Sequence, residues 1–191
     1  MATTTLTSAI RSTASGLATT DEVRAAFTEH REELAWLAGF LTGDEMAATA
    51  CVIDASTFAE GENSKDQEWL WPWPREATIR SALDVQRARI AQLASVYDRC
   101  DCVYGEHAAL PLELLEFLIR ESDVIRVSLD TICRFVLVLC GIGNRRSREV
   151  ALLLGISEHA VEAAYCVALQ SIDVIRSQAI VESYGYAAAY N

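Results

Sequence analysis

Apolar residues in this chain recur three, four and seven positions apart, and nowhere in the strict alternation of a half-buried strand. Val23, Phe27, Leu34, Leu37 and Leu41 fall mostly on one face, predicting a helix capped by Thr20 or Asp21 and broken at Gly43. Asp44 is placed to cap a second helix through "EMAATACVIDASTFA". The polar stretch 60–68 predicts a loop. After it, the two prolines of "WLWPWP" (69–74) are expected to forbid a regular helix across that segment. Ile79, Leu83, Ile90, Leu93 and Val96 restore helical spacing from Arg75 to Asp98, and the polar "RCDCVYGEH" that follows reads as a linker. "PLELLEFLIRES" and "SLDTICRFVLVLCG" give two more helices, the second apolar on most faces and therefore expected in the core.

The stretch Ser147 to Gln170, "SREVALLLGISEHAVEAAYCVALQ", has helix-turn-helix spacing. That motif needs a small residue where its helices cross, a turn glycine able to adopt the left-handed conformation, and a buried branched residue in its second helix. Ala151, Gly155 and Val161 stand at those places, Val150, Leu154, Ile156 and Ala164 supply the rest of an apolar interior, and Ser157 can cap the second helix. The tail, "ESYGYAAAYN", has no clear period. The fold expectation is all-α: two helical modules joined by a short linker, with a C-terminal helix-turn-helix. Residues 1–20 would be a leader, 21–99 the first module, 100–110 the linker, 111–180 the second module and 181–191 a tail.

Charge changes the picture. The 191 residues carry a net charge of −11 with 51% hydrophobic and 23% charged residues, the balance of a folded soluble protein. Lys65 is the single lysine, so the positive charge is almost all arginine. Such acidity opposes nonspecific attraction to nucleic acid or to anionic membrane. No secretory signal precedes the first helix, and the apolar run from Cys133 to Ile142 is interrupted by Arg134 and too short for a bilayer, so a cytoplasmic protein without membrane attachment is expected. Of the cysteines Cys51, Cys100, Cys102, Cys133, Cys140 and Cys166, most sit in apolar helical stretches and read as reduced structural thiols. Cys100-Asp-Cys102 lacks zinc-finger spacing, so no metal is expected. Gly141-Ile-Gly143 lacks the lysine and preceding strand of a phosphate loop, and no carboxylate pairs recognisably with a histidine. Neither an enzyme nor a cofactor is expected.

The residues of the second half resemble a known family. Leu129, Arg134, Val136, Leu139, Glu149, Val150, Ala151, Leu153, Leu154, Gly155, Ile156, Ser157 and Val161 match, without a gap, the promoter-reading C-terminal domain of bacterial RNA polymerase sigma factors of the small extracytoplasmic-function type. In the first half, "FLTGDEMAATACVIDASTFA" resembles the family's polymerase-binding helices, and Trp69-Leu70 with "ALDVQRAR" resembles the stretch that melts the −10 element. The resemblance implies core RNA polymerase as partner, or an anti-sigma-like protein, with promoter DNA bound only within such a complex.

The chain departs from the family where DNA would be touched. Glu162, Ala163, Ala164, Cys166, Val167, Leu169 and Gln170 stand where the pattern places cationic or polar residues, and Ala50 and Ile53 replace an Asp and a Gln that face polymerase, leaving Asp54 as the carboxylate. Each lost phosphate contact removes about 0.9 from the salt slope of binding. The remaining DNA-contact candidates are Arg145, Arg146 and Arg148 before the motif, Ser157 and His159 within it, and Arg87 and Arg89 in the first half. The candidates for contact with a protein partner are Glu162, Ala163, Cys166, Val167 and Asp54, the apolar members being expected to form an exposed face or to pack against the other module or the tail. The sequence thus predicts a sigma-factor-like transcription protein with weak or absent autonomous DNA binding. The alternative is a helical protein-interaction module that kept the fold without the reading face.

Overall fold

The computed structural model describes residues 18–61, 72–102 and 110–189, with side chains other than those of Gly61 and 182–189. Every element among the described residues is helical. The expectations for most of the leader, for Trp69 to Trp71, for most of the linker and for the tyrosines of the tail lie outside the described side chains.

The first long helix arrives as two. α1 (Thr20–Glu29) begins with a capping box: Thr19 Oγ1 accepts from the Glu22 amide at 3.3 Å, while the Glu22 carboxylate accepts from the Thr19 amide at 2.7 Å. The cap is therefore Thr19 rather than Thr20 or Asp21. The chain leaves helical geometry at His30 and resumes as α2 (Arg31–Thr42). That break lets Val23, Phe27 and Leu34 pack with Ala55, Ala59, Trp73 and Ala77, while Leu37 and Leu41 enter a different, larger core. Gly43 ends α2 with φ 75°, a conformation that disfavours any Cβ, and Asp44 then caps α3 (Glu45–Gly61) by accepting the Ala47 amide at 2.7 Å.

Pro72 and Pro74 do not interrupt a helix; they open one. α4 runs Pro72–Tyr97, and both prolines sit in its first turn, where amides have no intrahelical acceptor to lose. Its predicted apolar face is buried at Ile79, Leu83 and Ile90, but Val96 is exposed.

α5 (Leu112–Arg120) and α6 (Ser122–Ser128) lead to α7 (Thr131–Val136), which continues as a π-helical turn over Leu137–Ile142. Asp130 caps α7 by accepting the Cys133 amide at 3.0 Å. Every residue from Thr131 to Gly141 is buried, as the apolar run predicts. Its one charge, Arg134, donates to the carbonyls of Arg126 and Leu129 at 3.0 and 2.9 Å, and burial lowers its pKa. Leu110 lies so close to Gly141 that a Cβ there would come within 2.8 Å of it.

α8 (Ser147–Leu154) and α9 (Glu158–Ala189) complete the chain, so the helix continues through much of the expected tail. One buried cluster joins Leu37 and Leu41 of α2, Ile79 and Ile90 of α4, Ile132 of α7 and Val161 and Ile172 of α9. The two halves of the chain share this core. Each fully buried leucine or isoleucine in it contributes about 1.5–3 kcal/mol by leaving water.

Candidate functional site: the front of α9

The geometry at the α8–α9 junction follows from four residues. Gly155 stands at φ 70°, and its amide, with that of Ile156, donates back to the Ala151 carbonyl at 2.9 and 3.1 Å, closing α8. Ser157 Oγ accepts the Ala160 amide at 2.9 Å and so caps α9. The two helices meet at 107°. Val150, Ala151 and Leu154 on one side and Val161 and Ala164 on the other are buried between them and the rest of the core.

The front of α9 is covered along one side, although Ser157, Glu158 and His159 stay exposed. Residues 98–102, which follow α4, lie along it through four consecutive attachments. The Ser157 hydroxyl donates to the Asp98 carboxylate, and His159 Nε2 is 3.1 Å from the Cys100 carbonyl. Cys102 is disulfide-bonded to Cys166, with Cα atoms 6.2 Å apart. Gln170 Nε2 lies 3.5 Å from Cys102 Sγ and 3.6 Å from Cys166 Sγ. His159, Cys166 and Gln170 are spaced seven and four residues apart, so they form one stripe of the helix.

Of the two arrangements expected for the apolar residues, the packed one is found: Ala163 and Cys166 are 0% and 3% exposed, and Val167 is partly buried against the core. The physical reason is that α9 packs against α4, α7 and α8 at once, so its first turns have little free side left. Cys102 and Cys166 are not reduced thiols but partners, brought together across 64 residues. Glu162 is half-buried, and Ser157 and His159 remain exposed but are engaged by the covering segment.

The other candidates are dispersed. Arg145 forms an ion pair with Glu76 of α4 and is only 28% exposed. Arg146 and Arg148 are exposed and make no ion pair with a described residue. Arg87 pairs with Asp84 one turn away at 2.7 Å, and Arg89 is exposed on the same helix. Asp54 is exposed on α3 and lines a cleft of about 530 Å³ with Phe58, Arg80, Ser81, Asp84 and Val85. Among the described residues, no hydrogen bond or ion pair joins Arg87, Arg89 or Asp54 to α8 or α9.

α3 presents the opposite surface to α9. Met46, Ala50 and Ile53 are spaced i, i+4 and i+7, all exposed, with Met46 at 84% and Ile53 at 59%. Ala50, Ile53 and Asp54, which the resemblance assigns to polymerase contact, are thus all in solvent.

A polar cluster escaped the sequence reading. Tyr97 donates to Asp130 Oδ2 at 2.6 Å and touches Cys133 Sγ at 3.0 Å, while Cys133 donates to the Ala164 carbonyl at 3.3 Å. It ties the end of α4 to α7 and α9. Burial, reinforced by the nearby Asp130 charge, pushes the Cys133 thiol up to about 12, burial alone does the same for Cys140, and burial raises the Tyr97 phenol. Thiols held protonated in this way are poor nucleophiles, and the cluster acts as a strut between α4, α7 and α9. An aspartate directly before the apolar run is a cap signal that could have marked Asp130, but its tertiary partners left no local trace. Among the described residues, no three His, Cys, Asp or Glu side chains converge as a metal site would require.

No family model, curated protein or solved structure matches this chain.

Proposed function

We propose that this chain is a sigma-factor-like transcription protein, cytoplasmic, that associates with RNA polymerase in transcription initiation and has weak or absent autonomous DNA binding. The observation that carries the reading is the α8–α9 junction. A left-handed glycine at 155, a serine cap at 157 and a 107° bend between the helices support the reading of this junction as a helix-turn-helix scaffold, on the residues that resemble the sigma −35-reading domain.

The weak DNA binding follows from what lies on that scaffold. A reader needs its second helix free to enter the major groove. Here residues 98–102 lie along one side of that helix, and Arg145 is already paired with Glu76 of α4. Arg146, which precedes α8, and Arg148, in the first turn of α8 rather than before the motif as the sequence suggests, could hold a phosphate backbone but lie off the second helix and carry no base readout. Contact with polymerase would fall instead to the exposed α3 stripe of Met46, Ala50 and Ile53 beside Asp54.

A second reading, a helical protein-interaction module that binds a sigma or anti-sigma factor or has no link to transcription, is favoured by the same covered helix and exposed stripe. Size-exclusion chromatography with bacterial core RNA polymerase at about 0.15 M salt separates the two, because weak surface attractions are largely screened there. Co-elution supports the transcription reading. Elution alone, while a standard sigma factor co-elutes, leaves the interaction module.

A further inference from the structure

The first part of segment 98–102 is tied to the end of α4. The amides of Asp98, Arg99 and Cys100 donate to the carbonyls of Ala94, Val96 and Tyr97 at 2.9, 3.3 and 3.1 Å. Arg99 Nε donates to the Ser95 carbonyl at 3.0 Å, and Cys100 packs against the main core. Beyond Cys100 the described chain is fastened by its contacts with α9. Apart from the disulfide, the contacts of residues 98–102 with α9 are two exposed hydrogen bonds and one long N–H···S approach, from Gln170 to Cys102. Exposed hydrogen bonds hold weakly against water, which offers both partners an equal alternative. The covalent bond therefore decides whether the Cys102 end of the segment stays on α9. Its two sulfurs also differ in access: Cys102 is half-buried and Cys166 is 3% exposed.

We propose that Cys102–Cys166 is a dithiol-cleavable latch that fastens the end of residues 98–102 over α9, and that cutting it uncovers Cys166, the one covered member of a stripe whose other two, His159 and Gln170, already face solvent. The inference does not depend on the transcription reading. A dithiol reductant supplies the two electrons. One of its thiolates attacks Cys102 Sγ, the accessible sulfur, forming a mixed disulfide and releasing Cys166 as a thiolate that takes up a proton. The second thiol of the reductant then displaces Cys102 in the same way, closing its own disulfide and leaving two protein thiols. No further reactant is needed. Cys100, a free and half-buried thiol on the same segment, takes no part in the bond.

The remaining cysteines provide an internal standard. Cys51, Cys133 and Cys140 are 0–2% exposed and lie in the main core. The test is alkylation of the full chain by iodoacetamide under native conditions, with sites and rates read by peptide mass spectrometry before and after treatment with dithiothreitol. Before reduction, a Cys102–Cys166 cross-linked peptide should be found and Cys100 should be the reactive thiol. After reduction, Cys166 should alkylate on the order of tenfold or more faster than Cys51, Cys133 and Cys140, because reactivity follows access. Cys102→Ser should expose Cys166 to the same degree with no reductant added, while Cys100→Ser should keep both the bond and the protection.

Three results overturn the proposal. The cross-linked peptide is absent from the oxidised protein; or Cys166 stays as protected as the core thiols after the bond is cut; or all the buried thiols become reactive together. The last would make the bond a staple of the whole fold rather than a latch on one segment.

Discussion

α3 and α9 are both rich in alanine and apolar residues, yet one wears its apolar stripe outward and the other buries it. Met46 and Ile53 of α3 are 84% and 59% exposed, whereas Ala163, Tyr165 and Cys166 of α9 are 3% exposed or less. Hydropathy does not separate the two; their neighbours do. α3 packs chiefly against α2 and α4 and leaves one side to solvent, while α9 is enclosed by α4, α7, α8 and residues 98–102. An apolar helix face is therefore a candidate docking surface only where nothing in the chain already occupies it.

The largest break of this contrast should come from one substitution made on both helices. Ala163→Asp places an unpaired carboxylate at a fully buried site and should cost about 3 kcal/mol or more, or prevent folding. Ala50→Asp, on the exposed stripe, should shift stability by no more than about 0.5 kcal/mol. Urea midpoints measure both, and equal losses would erase the distinction. Cys102→Ser should come next. Opening a link between residues 64 apart should lower stability by about 2–4 kcal/mol in oxidised protein and by almost nothing in dithiothreitol.

A pH scan probes the strut behind α9. Cys133 and Cys140 have folded pKa values raised from an ordinary 9.0 to about 12. The protonated thiols are favoured in the folded state, so their contribution is complete below about pH 9 and is lost as pH rises towards about 12. Stability should fall there by about 1.4 kcal/mol per pH unit for each thiol. Cys133→Ala should flatten part of that slope, and chemical denaturation at several alkaline pH values would show it.

The division between what was legible in the sequence and what was not follows sequence distance. Gly43 and Gly155 as helix ends, Asp44 and Ser157 as caps, and the burial of the α7 run are set by residues within about four positions of each other, and each was readable. The helix-opening role of Pro72 and Pro74 was misread because a proline forbids a helix interior but suits its first turn. The cover on α9 was not legible. Its contacts join residues 59 to 68 apart, and a polar stretch such as "RCDCV" carries no local sign of where it will lie. Cys102 and Cys166 likewise had no spacing that paired them.

The smallest expected effect on stability gives the most direct test of function. Ile53→Asp, at the centre of the α3 stripe, should leave the urea midpoint within about 0.5 kcal/mol of the parent protein. In size-exclusion chromatography with core RNA polymerase, the parent protein should co-elute and Ile53→Asp should run alone. If the parent runs alone, or if the substituted protein co-elutes as fully as the parent, the account of α3 as the polymerase-facing surface is contradicted.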